Sequence, residues 1–348
     1  MWAAKLLGPM IAGQFALAYV FGTRQHLNLL DYAAGHERLP FQYRALVAWI
    51  MRGMLQLPGL DRLVPDAVEG MTKPMLVLAI LVFVSVLWIN RVARQVAATL
   101  FADPLVARLM GLTFLATLYL NYESPAYYPR LGYPYDLPSL ALIFAGFAAL
   151  VRNRVVLLLV LFAVATISRE TSVILIPILL CWHWPMDAAS GRPALLPRRR
   201  EAILALSMAG LWVGEKAFLH ALYGTNISEP AYQHRVGVPG SMELMFFSNL
   251  IDIVQPLRWP VDFSELCWLW LPVFLFWHMI DHPPLRRCIR VITPYWLLIM
   301  CLFGALRETR VLGELTILYW MAALVIVRAL LPTLAAAART RPLDTDLR

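Results

Sequence analysis

What most constrains this chain is where its apolar residues lie. They are gathered into blocks long enough to cross a bilayer, and arginines punctuate the gaps. A bilayer span needs about 20 predominantly apolar residues, fewer where a helix is broken or sheltered by protein. Blocks of this kind run over 6–22, 73–90, 105–121, 137–151, 201–223, 262–280, 291–306 and 314–331. Two shorter stretches, 155–167 and 172–184, are separated by the polar string Ser168-Arg169-Glu170-Thr171. A further segment, 44–57, carries Arg44 and Arg52, ends at Pro58 and reads as interfacial or re-entrant. The expected fold is all-α: a polytopic transmembrane helical bundle of about 8–11 membrane segments, some short or re-entrant, with polar outer loops. Residues 1–331 are expected to form one transmembrane domain and 332–348 a short basic cytoplasmic tail.

Composition narrows the function classes. The 348 residues are 60% hydrophobic and 15% charged, with a mean hydropathy of +0.64. An ordinary soluble chain carries roughly 45–50% apolar and 25% charged residues. A water-soluble enzyme, a nucleic-acid-binding domain and a disordered chain are excluded as primary readings. The net charge of +8 does not point to nucleic acid as a partner, because the basic residues punctuate the loops between apolar blocks. Cys181, Cys267, Cys288 and Cys301 show no CxxC or other metal-ligand spacing. Three lie in or at apolar segments, Cys288 is expected in a basic loop, and no structural disulfide is expected. Lys5 precedes the first apolar run, but Arg24 and His26 follow it directly without a small-residue cleavage pattern, so the run reads as an uncleaved span.

Orientation follows from the basic loops. Arg91/Arg94/Arg108, Arg152/Arg154, Arg192/Arg198/Arg199/Arg200, Arg286/Arg287/Arg290 and Arg328/Arg339/Arg341/Arg348 all belong with Lys5 in the cytoplasm. Both termini are then cytoplasmic, and the expected location is a bacterial inner membrane. This assignment constrains residues 155–184, because the basic flanks on both sides lie inside. Two short helices rising from the cytoplasm and meeting at Ser168–Thr171 satisfy it; a single span does not. An Arg-Glu pair at such an apex is tolerated only in a wet cavity or buried in protein. Arg307-Glu308-Thr309-Arg310 repeats the Arg-Glu-Thr triplet at the exit of another outward span. The two strings are expected to share a polar cavity.

The outer loops combine carboxylates, arginines and tyrosines. The first runs through Asp31, Tyr32, Glu37 and Arg44; the second holds Glu123, Arg130 and Asp136 among prolines and tyrosines. Carboxylates act as general bases or hold divalent cations, and arginines suit phosphate through charge-assisted, often bidentate hydrogen bonds. Together they suit a phosphate-bearing substrate presented at the outer membrane surface. Glu215 and Lys216, with His220 one turn beyond, lie inside an apolar span and read as a local pair or as cavity-facing groups. No GxxxxGK[ST], GxGxxG or GxSxG motif occurs. That argues against an ATP-driven pump and against a soluble nucleotide-sugar donor on the cytoplasmic side.

The layout resembles the GT-C superfamily of polytopic polyprenyl-phosphate-sugar-dependent glycosyltransferases. The resemblance rests on Asp31 in the first outer loop and on the short paired helices around Ser168-Arg169-Glu170-Thr171. Polar outer loops over an apolar bundle, and the string Tyr135-Asp136-Leu137-Pro138-Ser139, add to it. It covers roughly residues 6–180, and its motifs are short and degenerate. It implies a polyprenyl-phosphate-linked sugar as donor, membrane lipids as surroundings, and transfer to a glycan, lipid or protein acceptor at the outer face. Asp31 would be the general base or a metal ligand, with a divalent cation, Mg2+ or Mn2+, as the one candidate cofactor. The family often shows paired acids in that loop; here Tyr32 follows Asp31, and Glu37 is the nearest acid.

The expected site combines Asp31 and Glu170 as catalytic carboxylates with Arg44, Glu123, Arg130, Asp136, Arg169, Arg307, Glu308 and Arg310 as substrate-binding residues. Arg169 and Arg307 would stabilise charge growing on the carrier phosphate. Two alternatives stand beside this reading. One is a surface-polysaccharide polymerase of the O-antigen type. The other is a lipid or solute transporter, for which internal repeats would be expected; no similarity surrounds the two Arg-Glu-Thr strings.

Overall fold

In a computed structural model of the chain, residues 2–23, 27–64, 69–101, 104–123, 133–185, 196–227, 254–255, 268–303 and 309–340 are described. Among them the chain is all helix and turn, with no strand. Helix α1 spans Trp2–Thr23. The Asn28 side chain then accepts hydrogen bonds from the backbone amides of Leu30 (3.0 Å) and Asp31 (3.3 Å), capping the short α2, Leu29–Ala34. Gly35 ends that helix at φ +90°, a conformation open to glycine without steric cost. A 3-10 turn at Phe41–Tyr43 leads into α3, Ala45–Leu55, which occupies the segment expected to be interfacial or re-entrant.

Helix α4, Lys73–Leu100, is the longest, and its buried positions Leu78, Val82, Val86, Ile89, Ala93 and Val96 recur every three or four residues. That spacing forms one apolar stripe, and it packs against α1, α5 (Pro104–Glu123) and α6 (Asp136–Val151). Helix α6 is buried on almost every side, as a helix without a polar face must be. Among the described residues, three helical stretches are long and apolar enough to cross a membrane: Lys73–Leu100, Arg199–Tyr223 and Leu312–Leu331. Leu6–Phe21, Leu105–Tyr119, Asp136–Val151, Val155–Ser168 and Glu170–His183 are shorter apolar helices.

The break at Ser168–Thr171 appears where the polar string interrupts the apolar run. Helix α7 spans Val155–Ser168, Arg169 is extended at φ −160° and ψ 139°, a 3-10 turn covers Glu170–Ile174, and α8 runs Leu175–His183. Breaking a helix frees backbone groups that must find partners away from water. The local hydroxyls sit at that point. Thr166 Oγ1 donates to the Phe162 carbonyl (2.9 Å) and lies 2.9 Å from Ser172 Oγ, while Ser168 Oγ lies 2.7 Å from Ser139 Oγ on α6. The chain reverses here: Asn153 and Arg154 before α7, His183 at the end of α8, and Arg200 and Glu201 near the start of α9 (Arg199–Tyr223) line one small cavity. A straight helix would hold residues 155 and 183 about 40 Å apart.

Helix α10 is Trp270–Phe276, α11 is Pro283–Phe303, and a 3-10 turn at Thr309–Leu315 opens α12, Thr316–Thr340. Helix α12 is central, with 72% of its most apolar stretch buried; α9 is peripheral, with 22%. Two details differ from expectation. Arg286, Arg287 and Arg290 are helical, and Cys288, expected in a basic loop, is fully buried on α11 because its side chain takes the core-facing side of that turn. Helix α12 also continues past residue 331 to Thr340. The described part of the 262–280 block begins at residue 268.

The basic clusters meet at one end of the bundle. Arg152 donates to the Gln95 side chain (3.0 Å), Arg328 to the Leu100 carbonyl (2.7 Å), and Arg287 to the Trp184 carbonyl (2.7 Å). These bonds tie α4 to α6 and α12, and the end of α8 to α11. Every group described next lies toward the opposite end.

Candidate functional site

The break between α7 and α8 projects two adjacent charges in different directions. Arg169 turns into the protein, where Nη1 lies 3.4 Å from Asp136 Oδ1 and 3.3 Å from Glu314 Oε1. Thr171 Oγ1 donates to the same Glu314 oxygen at 2.5 Å. All three charged side chains are excluded from solvent: 6% of Arg169 is accessible, 0% of Asp136 and 1% of Glu314. From α1, Tyr19 joins this layer, its hydroxyl donating to the Tyr133 carbonyl at 2.7 Å and lying 3.4 Å from Asp136 Oδ2. Burying charge is unfavourable unless the partners are close and hydrogen-bonded, and one guanidinium here serves two carboxylates.

Glu170 turns the other way. It receives Arg44 bidentately, through Nη2 at 2.6 Å and Nε at 3.2 Å. Arg44 Nη1 also donates to the Tyr135 hydroxyl, and its guanidinium carbon lies 4.5 Å from that ring's centre. Two residues of α9, one turn apart, close this side: Trp212 Nε1 donates to the Glu170 carbonyl (3.0 Å) and Lys216 Nζ to the Thr166 carbonyl (3.1 Å). Glu170 is the open member of the network, with 40% of its side chain accessible against 12% for Arg44.

Asp31 faces elsewhere. Helix α2 exposes Asp31 and buries Tyr32, whose hydroxyl donates to the Arg44 carbonyl. Burial raises the Tyr32 phenol well above its ordinary pKa, and neighbouring Tyr135 adds to the effect, so Tyr32 remains a neutral donor. On the other side of α2, Asp31, Glu37, Arg38 and Thr72 line a cavity of about 690 Å3. Glu37 is buried, and its Oε1 lies 3.4 Å from Arg38 Nε and accepts from the Arg38 backbone amide at 3.1 Å. The nearest acid in sequence to Asp31 therefore shares its cavity. Among the described residues no group of three or more His, Cys, Asp or Glu side chains is placed to hold a metal ion.

Of the ten residues singled out from sequence, the fold pairs Arg44 with Glu170 and Arg169 with Asp136 at the two sides of the break, and places Asp31 on the cavity across α2. Glu123 ends α5, and Arg310 lies in the turn before α12; Arg130, Arg307 and Glu308 lie outside the described residues. Glu314, four residues beyond Arg310, binds both Arg169 and Thr171; the expected meeting of the two Arg-Glu-Thr strings rests on side chains outside those described. The chain matches no protein-family model, no curated protein and no solved structure.

Glu314 and Tyr19 are the members that sequence reasoning passed over; Tyr135 entered only within the string that carries the resemblance, and Lys216, read as a local pair with Glu215 or a cavity-facing group, donates to the Thr166 carbonyl. Glu314 carries a usable signal, being the acid at the head of an otherwise apolar stretch. Asn226, in the Asn226-Ile227-Ser228 sequon, has a structural use: its amide donates to the carbonyls of Gly35 and Glu37, both at 2.9 Å, tying the end of α9 to the first loop.

Proposed function

We propose that this chain is a polytopic inner-membrane glycosyltransferase of the GT-C kind, acting at the extracytoplasmic end of the bundle. The observation that carries the reading is the broken helix pair, whose apex gathers Arg44, Asp136, Arg169, Glu170 and Glu314, with the cavity of Asp31 across the short α2. Irregular backbone and charge at membrane depth are retained where they are buried in protein or line a functional cavity. The clustering of arginines at the opposite end supports the orientation, with that end cytoplasmic.

In this reading the donor is a polyprenyl-phosphate-linked sugar that arrives laterally from the lipid. The acceptor hydroxyl gives its proton to Asp31 as its oxygen bonds to the anomeric carbon. The bond from that carbon to the carrier phosphate breaks, and its electron pair leaves with polyprenyl phosphate. The open Arg44–Glu170 pair, across the short α2 from Asp31, meets the phosphate side, with Arg44 exchanging part of its bond to Glu170 for phosphate oxygen, so the substrate in this reading extends around α2. Arg169, clamped between Asp136 and Glu314, is a positioning residue that holds the apex in shape.

The test is release of free polyprenyl phosphate in proteoliposomes given a panel of polyprenyl-phosphate sugars. Release by the wild type that is lost in Asp31→Asn and weakened in Glu170→Gln supports the transferase. Labelled lipid crossing the bilayer without release overturns it in favour of a flippase.

A further inference from the structure

At the end of the bundle opposite the proposed site, α1, α4 and α5 enclose a cleft of about 510 Å3. Its polar wall is cationic. Arg91 and Arg94, one turn apart on α4, and Arg108 on α5 all line it, and among the described residues no carboxylate does. Arg152, Arg287 and Arg328 at the same end each donate to a carbonyl oxygen of the backbone or of a side-chain amide. Arg91, Arg94 and Arg108 form no hydrogen bond or ion pair among the described residues.

A second polar group lies in the cleft. Asn90 is 6% exposed, and its carboxamide oxygen has no hydrogen-bond partner among the described residues. Such an orphan is unfavourable in a protein interior unless something else satisfies it. The packing around it needs glycine at 111 on α5 and is tight against Gly8 on α1. A Cβ on Gly8 would lie 3.2 Å from Asn90 Nδ2; one on Gly111 would lie 2.9 Å from Asn90 Oδ1 and 2.3 Å from Arg94 Cγ. Glycine at 111 thus lets the Arg94 stem lie across α5 beside the orphan amide. Toward the bundle middle the cleft opens onto apolar side chains, with Val84 and Trp88 about half exposed.

We propose that this cleft binds one anionic phospholipid whose headgroup carries a hydroxyl. The three guanidiniums take the phosphodiester, Asn90 Oδ1 accepts the headgroup hydroxyl, and the acyl chains run over Trp88 and Val84. The apolar flank selects a lipid over free phosphate, and the orphan acceptor selects a hydroxylated headgroup over a bare one. The inference needs the chain to be membrane-embedded but does not rest on the transferase reading.

Phosphatidylglycerol titrated into the purified full chain in detergent, with bound lipid counted by native mass spectrometry, tests the proposal. Phosphatidylmethanol, phosphatidylcholine and inorganic phosphate are the comparison probes. The expected result is one saturable phosphatidylglycerol. Its affinity falls at least about tenfold in Arg94→Gln or Arg108→Gln, one lost charge-assisted bond each, and binding is abolished in the triple variant with Arg91→Gln. The control Arg198→Gln/Arg199→Gln/Arg200→Gln removes the same charge at the same end and keeps binding. Asn90→Ala narrows the preference for phosphatidylglycerol over phosphatidylmethanol. Equal loss in the control triple variant, equal occupancy by inorganic phosphate, or unsaturable binding would each overturn the site. The single variants keep the test decisive should the triple variant misfold.

Discussion

At the scale of single residues, the two charges at the helix break have opposite fates. Arg169 is enclosed with Asp136 and Glu314, whereas Glu170 keeps 40% of its side chain open. Removing the Arg169 guanidinium leaves two buried carboxylates without their shared counter-ion. Arg169→Ala is therefore expected to cost about 3–5 kcal/mol, read as the unfolding midpoint in detergent. Arg169→Lys should recover little, since a point-like ammonium does not replace a planar fork that faces two acceptors. Asp31 is the opposite case. It is exposed on α2 and its side chain holds nothing in place, so Asp31→Asn should shift stability by less than about 0.5 kcal/mol. The same change should lower sugar transfer by at least about 100-fold if Asp31 is the base. A large stability loss from Asp31→Asn would instead mark it as a structural acid.

At the scale of elements, α6 is coupled to the broken pair through small and polar contacts. Ser139 on α6 and Ser168 at the end of α7 are both fully buried and lie 2.7 Å apart. Ser168→Ala alone strands the Ser139 hydroxyl and should cost about 1–3 kcal/mol. The double variant Ser139→Ala/Ser168→Ala should cost less than the sum of the singles, a coupling that a double-mutant cycle reads directly. Gly146 sets the approach of α6 to α8: a Cβ there would lie 2.7 Å from Leu175 Cδ1. Gly146→Val should overpack this contact by about 1–3 kcal/mol; an unchanged midpoint would mean that α8 moves freely against α6.

At the scale of the whole molecule, the reversal at Ser168–Thr171 decides which loops share a side. Asn153 and Leu196 then lie at one end, with Asp61 and Asn226 at the other. Single cysteines at these positions, probed with a membrane-impermeant maleimide, should react in intact cells only at 61 and 226. Labelling of 153 without permeabilisation would overturn the hairpin or its orientation. Of the native thiols described, Cys181 and Cys288 are buried, which favours a low background.

Sequence alone determined the helical class, most helix positions and the place of the break. Those features follow from local chemistry: apolar blocks of span length, glycine and asparagine at helix ends, and a polar string that an apolar helix cannot absorb. Arg44, Asp136, Arg169 and Glu170 were legible as candidates because charge in or beside an apolar segment is conspicuous. Their partners were not. Arg44 reaches Glu170 across 126 positions and Thr171 reaches Glu314 across 143, and no local pattern encodes such pairings. Tertiary structure alone decided that Arg169 is enclosed while Glu170 is open, and that Asp31 faces a separate cavity. Which face of a short helix turns inward depends on what packs against it, and that is a property of the whole bundle.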